Sequence, residues 1–217
     1  MRAAIFDLDG TLIDSAPDIH AAANVVLTAQ GLAPITLAQA RGFIGAGAPV
    51  FVERMAAARL EAPDAARTAA MLAHFLELYE GAVGLTRTYP GAVEALERLA
   101  AEGWRLGLCT NKPEGPTRSV LAHFGLERFF PVVVGGDTLA VRKPDPEPLR
   151  HVVAALGAEA PVYVGDSETD AATAQAAGIP FALYTEGYRH TPLEALPHDF
   201  AFAEWPLLAP WLATREG

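Results

Sequence analysis

Short apolar runs bounded by polar and turn-forming residues alternate with stretches of helical period along most of this chain. The first run, Ala3-Ala4-Ile5-Phe6, ends directly in Asp7-Leu8-Asp9-Gly10-Thr11. A run that apolar, closed by acids and a glycine, predicts a parallel strand buried on both faces that presents carboxylates at its carboxyl end. Strand side chains repeat every second residue, so Asp7 and Asp9 are expected to point the same way. Like charges that close need a cation between them or a shared proton. An Asp-Gly turn closing a strand has the same local composition, so the stretch alone leaves both readings open.

Beyond Thr11, Ser15 is placed to cap a helix with Pro17 in its first turn, and Gly31 ends that helix. Helical patterns follow over 37–43, 49–59 and 65–80, separated by breaks such as Gly45-Ala46-Gly47-Ala48-Pro49. No strand pattern occurs there. After Tyr89-Pro90-Gly91 the order becomes helix 92–102, strand 105–109, helix 114–124, strand 132–134, helix 146–156, strand 162–164, helix 168–177 and strand 181–184. Such alternation with short connections predicts right-handed β-α-β units on a parallel sheet. The first strand needs that sheet as its partner. The expected fold is therefore α/β: a doubly wound, Rossmann-like core from 1–14 and 86–217, with 15–85 inserted as a helical cap. Residues 184–196 and the aromatic stretch 200–211 are expected to close the sheet and pack a last helix.

Length and composition narrow the partners. The 217 residues suffice for one sizeable core or a core with a small insert, and 51% hydrophobic with 19% charged residues is a globular composition. A net charge of -10 disfavours general binding to nucleic acid or anionic membrane, both of which need a basic surface. The single Cys109 excludes an intrachain disulfide framework and reads as a buried strand residue. No stretch approaches transmembrane length, and the first strand starts almost at Met1 without a leader pattern. Cytoplasm is the expected compartment, and the chain is expected to act as a monomer or homodimer.

Ligands of doubly wound sheets bind beyond the carboxyl ends of the strands. Those ends carry Asp7 and Asp9, then Thr110-Asn111, then Gly165-Asp166-Ser167-Glu168-Thr169-Asp170, with Arg142-Lys143-Pro144-Asp145-Pro146 between the last two. Each has a plain structural reading taken alone: Thr110-Asn111 and Asp166 as helix caps, Lys143 as a solvated lysine. Together they complement one another. Asp7 and Asp166 with a backbone carbonyl are hard oxygen ligands suited to Mg²⁺. Thr110, Asn111 and Lys143 can hold phosphate oxygens. One carboxylate would attack while ionised, and a different one would carry a proton to the leaving oxygen.

These four segments, in this order, resemble the motifs of the haloacid dehalogenase-like superfamily of aspartate-nucleophile phosphohydrolases. Asp14-Ser15-Ala16-Pro17-Asp18, Ile44-Gly45-Ala46-Gly47-Ala48, Val134-Gly135-Gly136-Asp137 and Ala176-Ala177-Gly178 are similar to its phosphoglycolate phosphatase group. The resemblance implies Asp7 as nucleophile and Asp9 as general acid and then base. It implies Thr110 and Lys143 as phosphate ligands, and Asp7, the Asp9 main-chain carbonyl and Asp166 as Mg²⁺ ligands. Asp170 is implied to orient a metal-bound water or Lys143, with Thr11 in support. A small phosphorylated metabolite, 2-phosphoglycolate first, is the implied substrate.

The resemblance also puts a substrate-specificity loop at Gly45 and Gly47, whose missing side chains would let main-chain amides approach a ligand. Arg41 and Arg54 flank it as candidates for a substrate carboxylate. Other phosphatase substrates, such as a sugar phosphate or a nucleotide, are alternatives, followed by hexose-phosphate mutation. Such mutases carry a cap histidine where this chain has Ile19. His20 is one residue late, a rotation of about 100° on a helix. The second acid, Asp9, separates the chain from true haloacid dehalogenases. A non-catalytic phosphate-binding module is the reading from another class, and intact Asp7, Asp9, Lys143 and Asp166 weigh against it. His74, His123, His151, His190 and His198 show no metal-ligand spacing.

Overall fold

A computed structural model describes residues 1–62 and 64–215. In chain order it contains β1 (Arg2–Phe6), β2 (Ile13–Asp14), α1 (Ala16–Ala29), α2 (Leu37–Phe43), α3 (Ala48–Ala57) and α4 (Ala65–Tyr79). Then come β3 (Arg87–Thr88), α5 (Ala92–Ala101), β4 (Arg105–Cys109), α6 (Glu114–His123), β5 (Val132–Val134), α7 (Glu147–Leu156), β6 (Ala160–Gly165), α8 (Glu168–Ala177), β7 (Phe181–Tyr184), β8 (Phe200–Phe202) and α9 (Leu208–Ala213).

The main sheet is parallel, in the order β5-β4-β1-β6-β7-β8. Sequence order runs outward from β1 in both directions, so the crossovers part at its carboxyl end, the topological switch point. The period of two sorts each strand onto two cores. Ala4 and Phe6 join Leu106, Leu108, Val162 and Val164 on one face, under α5, α6 and α9. Ala3 and Ile5 join Cys109, Tyr163, Phe181 and Leu183 on the other, under α7 and α8. Ile5 and Phe6 are wholly buried, and each such side chain contributes about 1.5–3 kcal/mol. β1 is thereby fixed on both faces, and with it the residues that follow.

The helices α1 to α4 bury their own core, centred on Val26, Leu27, Val52, Met55, Met71 and Phe75. That is the helical cap. It joins the sheet through an antiparallel pair, β2 with β3, in which Ile13 faces Thr88 and Asp14 faces Arg87. Two-residue strands carry no readable period, so the sequence pattern does not reveal this neck. Buried Asp18 braces it, its Oδ2 accepting from Leu85 N at 3.0 Å, Thr86 N at 2.7 Å and Thr86 Oγ1 at 2.7 Å.

Three local expectations change. Ser15 precedes α1 but makes no side-chain cap; its hydroxyl donates to Asp9 Oδ1 at 2.5 Å. Pro146 sits at the N-cap of α7 rather than in its first turn. The aromatic stretch after residue 200 supplies a sixth strand, β8, as well as the last helix. No helix among the described residues is long and apolar enough to cross a membrane.

Gly107 on β4 lets α7 pack close, since a Cβ there would stand 2.5 Å from Val152 Cγ1 and 2.9 Å from Leu156 Cδ1. Gly107→Ala is expected to lower stability by about 1–3 kcal/mol through overpacking. Urea denaturation measures it, and no loss would contradict this packing.

Candidate active site

The backbone of Asp7 continues the ladder of β1, its N–H donating to Val164 O at 2.9 Å. This sets its carboxylate at the switch point, almost fully buried. Lys143 Nζ reaches it from the segment before α7, 3.0 Å from Asp7 Oδ1. The hydrogen bonds of that ammonium go elsewhere, to Asp170 Oδ1 at 2.7 Å and Tyr163 Oη at 2.8 Å. Asp7 Oδ1 is therefore ion-paired yet has no hydrogen-bond donor. Asp170 is the opposite case. Its Oδ1 also takes a bond from the Tyr163 hydroxyl at 2.7 Å, and its Oδ2 accepts from Ser167 Oγ at 2.5 Å and Ser167 N at 3.1 Å. The second set is a capping box at the start of α8, so one acid both starts a helix and anchors Lys143.

Asp166 is buried beside them, with Oδ1 accepting from Thr11 Oγ1 at 2.7 Å and Oδ2 from Tyr188 N at 2.7 Å. Gly10, at φ 89°, gives this carboxyl room, since a Cβ there would collide with it. Asp7, Asp166 and Asp170 each offer a carboxylate oxygen within 4.8 Å of the others. With Asp170 saturated and Asp7 Oδ1 lacking a donor, the pair Asp7 and Asp166 fits a hard divalent cation, one oxygen from each.

Burial sets the charges. It pushes the Asp7 carboxyl up to about 7, assisted by the charge of Asp170 and opposed by Lys143. Burial, then the charges of Asp170 and Asp7, drives Asp166 well above the carboxylate range. Burial would also raise Asp170, but the charge and hydrogen bond of Lys143, with those of Ser167 and Tyr163, hold it below. Burial would lower Lys143, yet Asp170 and Asp7 more than offset it and keep it protonated. A cation between Asp7 and Asp166 would reverse the first two shifts by favouring their ionised forms.

Asp9 faces another way. Its carboxylate lies 3.2 Å from Lys112 Nζ through Oδ1, accepts Ser15 Oγ, and is 3.4 Å from Tyr79 Oη through Oδ2. Each of the two acids has its own buried lysine, Lys143 for Asp7 and Lys112 for Asp9. The cap thus closes onto the second acid through Tyr79, the last residue of α4. Asp7 and Asp9 open onto a cavity walled on the cap side by Ile19, Ile44, Phe51 and Phe75. A carboxyl group beside a lysine, a second acid in a separate setting and a candidate cation pair are the parts of a phosphoryl-transfer site.

A family model for the haloacid dehalogenase-like hydrolases matches residues 1–178. The chain belongs to this family. It is 57% identical over 204 residues to a phosphoglycolate phosphatase of Cereibacter sphaeroides (strain ATCC 17029), covering 94% of each chain. It is 45% identical over 218 residues to a phosphoglycolate phosphatase of Rhodospirillum rubrum, covering 97% of this chain and 90% of that one. Among solved structures, a predicted phosphoglycolate phosphatase from Haemophilus somnus 129PT superposes with a TM-score of 0.92 at 28% identity, over 98% of each chain.

The structure brings Asp7, Lys143, Asp166, Asp170 and Thr11 into one cluster, with Asp9, Thr110 and Asn111 across the cavity from the cap. Thr110 Oγ1 accepts from Lys112 N at 3.2 Å. The helix that follows is capped at Pro113, so neither Thr110 nor Asn111 caps it. Asn111 is a tie: its Nδ2 donates to Gly45 O and Lys143 O, both at 3.0 Å, fastening the cap loop to the core. Gly45 and Gly47 line the cavity. Arg41 pairs with Asp14 at 2.8 Å on the surface, and Arg54 donates to Phe43 O at 3.2 Å.

Lys112, Tyr79, Tyr163 and Ser15 escaped the sequence reading. A lysine after Thr110-Asn111 and a tyrosine at a helix end look like surface residues, and Tyr163 looks like core. A hydroxyl buried mid-strand that must find a partner is the one available signal, at Tyr163.

For Asp7 the sign of the pH dependence follows from its raised value. The folded metal-free protein holds a proton on Asp7 between about 4 and about 7 that the unfolded chain releases, so this contribution to stability falls as pH rises through that window. Denaturation with chelator at pH 5 and pH 8 is expected to show a fall in stability for the wild type that is smaller in Asp7→Asn. Equal slopes would contradict this burial cost.

Proposed function

We propose that this hydrolase cleaves phosphomonoesters through an aspartyl-phosphate on Asp7, with Mg²⁺ as cofactor and 2-phosphoglycolate as substrate. The observation that carries the reading is the Asp7 carboxylate at the head of the central strand, ion-paired to Lys143 and with Oδ1 free of donors. The phosphoglycolate phosphatase names of relatives matched over nearly their whole length support the substrate.

Asp7 attacks phosphorus in line, the ester P–O bond breaks, and Asp9 protonates the departing alkoxide. Asp9, now ionised, takes a proton from water, which attacks the phosphorus of the acyl phosphate, releases phosphate and restores Asp7. Lys143 holds a phosphate oxygen while Asp170 and Tyr163 hold Lys143. Mg²⁺ held by Asp7, Asp166 and the Asp9 carbonyl would neutralise phosphate charge so that a carboxylate can approach. Residues 15–85 act as the cap domain that excludes water and reads the leaving group, and 1–14 with 86–217 as the catalytic domain. The mutase alternative lacks its acid-base histidine: His20 Nε2 is bonded to Ile35 O at 2.9 Å, and Ile19 lines the cavity instead.

Asp7→Asn is expected to keep its fold by circular dichroism and to lose at least about 10⁴-fold in kcat. Near-normal turnover would overturn the nucleophile assignment. Wild-type activity is expected to vanish with chelator and return with Mg²⁺. In a panel of esters, kcat/KM is expected to be highest for 2-phosphoglycolate, and a sugar phosphate or nucleotide ahead of it would replace the substrate.

A further inference from the structure

Beside the reacting acids, one group has no part in the steps above. Lys112 is as buried as Lys143, with 2% of its side chain exposed. Its backbone is pinned, the carbonyl accepting from Gly136 N at 2.8 Å and Thr117 Oγ1 at 3.3 Å and the N–H donating to Thr110 Oγ1 at 3.2 Å. The ammonium therefore has a fixed place at the cavity wall. It is the one lysine or arginine among the described residues lining that cavity, whose cap side is apolar but for the Tyr79 hydroxyl.

Its present partners do not saturate it. Nζ lies 3.2 and 3.5 Å from the two Asp9 oxygens, longer than a charge-assisted bond of about 2.7–2.9 Å, and it donates to Tyr79 Oη. An ammonium has three donors, and these contacts lie in two directions, one toward Asp9 and one toward Tyr79. A buried cation with a loosely held counter-ion and a spare donor, facing an apolar cavity, is a receptor for one anionic group.

We propose that Lys112 receives the carboxylate of the leaving group and so selects esters whose alcohol carries a negative charge close to the ester oxygen. The proposal rests on the phosphatase reading above and names what sets its substrate. In 2-phosphoglycolate the carboxyl carbon stands two bonds beyond the ester oxygen. With phosphorus at Asp7 and the ester oxygen at Asp9, the carboxylate falls toward the residue that Asp9 itself touches. Tyr79 holds the ammonium from the cap side, its ring 4.1 Å from Nζ, so the receptor is assembled only with the cap in place. Of the candidates suggested by sequence, Arg41 is engaged with Asp14, and Arg54 gives one bond to Phe43 O and lines the adjoining pocket toward Asp166 rather than the cavity that Lys112 faces.

The test is the ratio of kcat/KM for 2-phosphoglycolate to that for ethyl phosphate, which has the same two carbons and no carboxylate. Measured in wild type, Lys112→Met, Lys112→Arg and Tyr79→Phe, the ratio is expected to fall about 100-fold in Lys112→Met. It should recover to within about tenfold in Lys112→Arg and drop only partly in Tyr79→Phe. Glycolate as a competitive inhibitor should weaken in parallel with the ratio, while inorganic phosphate weakens less. If Lys112→Met does not fold, the arginine and Tyr79→Phe variants still read the ratio.

Equal losses for both esters, with glycolate inhibition unchanged, would mean that Lys112 acts only through Asp9. That outcome overturns the proposal and leaves the phosphatase reading standing. Hydrolysis of neither ester by wild type would instead sink the 2-phosphoglycolate reading by itself. Calorimetric binding of glycolate then still decides about Lys112: binding lost in Lys112→Met upholds the receptor, and equal binding in both proteins overturns it.

Discussion

A buried charge must be matched, and most of the site follows from that requirement. Asp7 is placed by β1 where little of its side chain meets solvent, so Lys143 has to stand beside it. Lys143, buried in turn, needs more negative charge than the one carboxylate of Asp7. Asp170 supplies it, with the neutral Tyr163 hydroxyl as a further acceptor, and is itself held by the capping box of α8. The orientation of the ammonium thus depends on a helix start, and the helix start on β6 delivering Ser167 to the same place. Breaking any member leaves another buried and unpaired, which costs far more than the pair contributes.

The second acid obeys the same rule by other means. Asp9 is met by Lys112, Ser15 and Tyr79, and the last of these belongs to the cap. The two carboxylates of one short motif thereby occupy distinct settings: one against Lys143 and the candidate cation partner Asp166, the other at the cap interface. Separate environments are what let one carboxyl attack and the other carry a proton. The cap also meets the core at Asn111, whose amide joins Gly45 to Lys143, so the positions of the loop and of Lys143 are mechanically linked.

Much of this was legible in the residues. The apolar run before Asp7, the alternation after Tyr89 and the polar strand ends were enough for the doubly wound sheet, the helical insertion and the cluster of Asp7, Lys143 and Asp166. What stayed hidden was long-range pairing. Nothing local distinguishes Lys112 from a surface lysine, because its partners lie 103 residues away at Asp9 and 33 away at Tyr79. The β2 and β3 neck escaped because two residues have no period. Ser15 takes the N-cap position that its composition fits, while the structure spends its hydroxyl on Asp9.

The central claim is that phosphorus passes through Asp7, with Lys143 and Asp9 serving two successive in-line displacements. Stereochemistry tests it directly. Each displacement inverts phosphorus, so a thiophosphate ester made chiral at phosphorus by a heavy-oxygen label, transferred through Asp7 and then to water carrying the third oxygen isotope, must give inorganic thiophosphate of retained configuration. Retention is the expected result; inversion would mean that water attacks the ester in one step and that Asp7 is not the nucleophile.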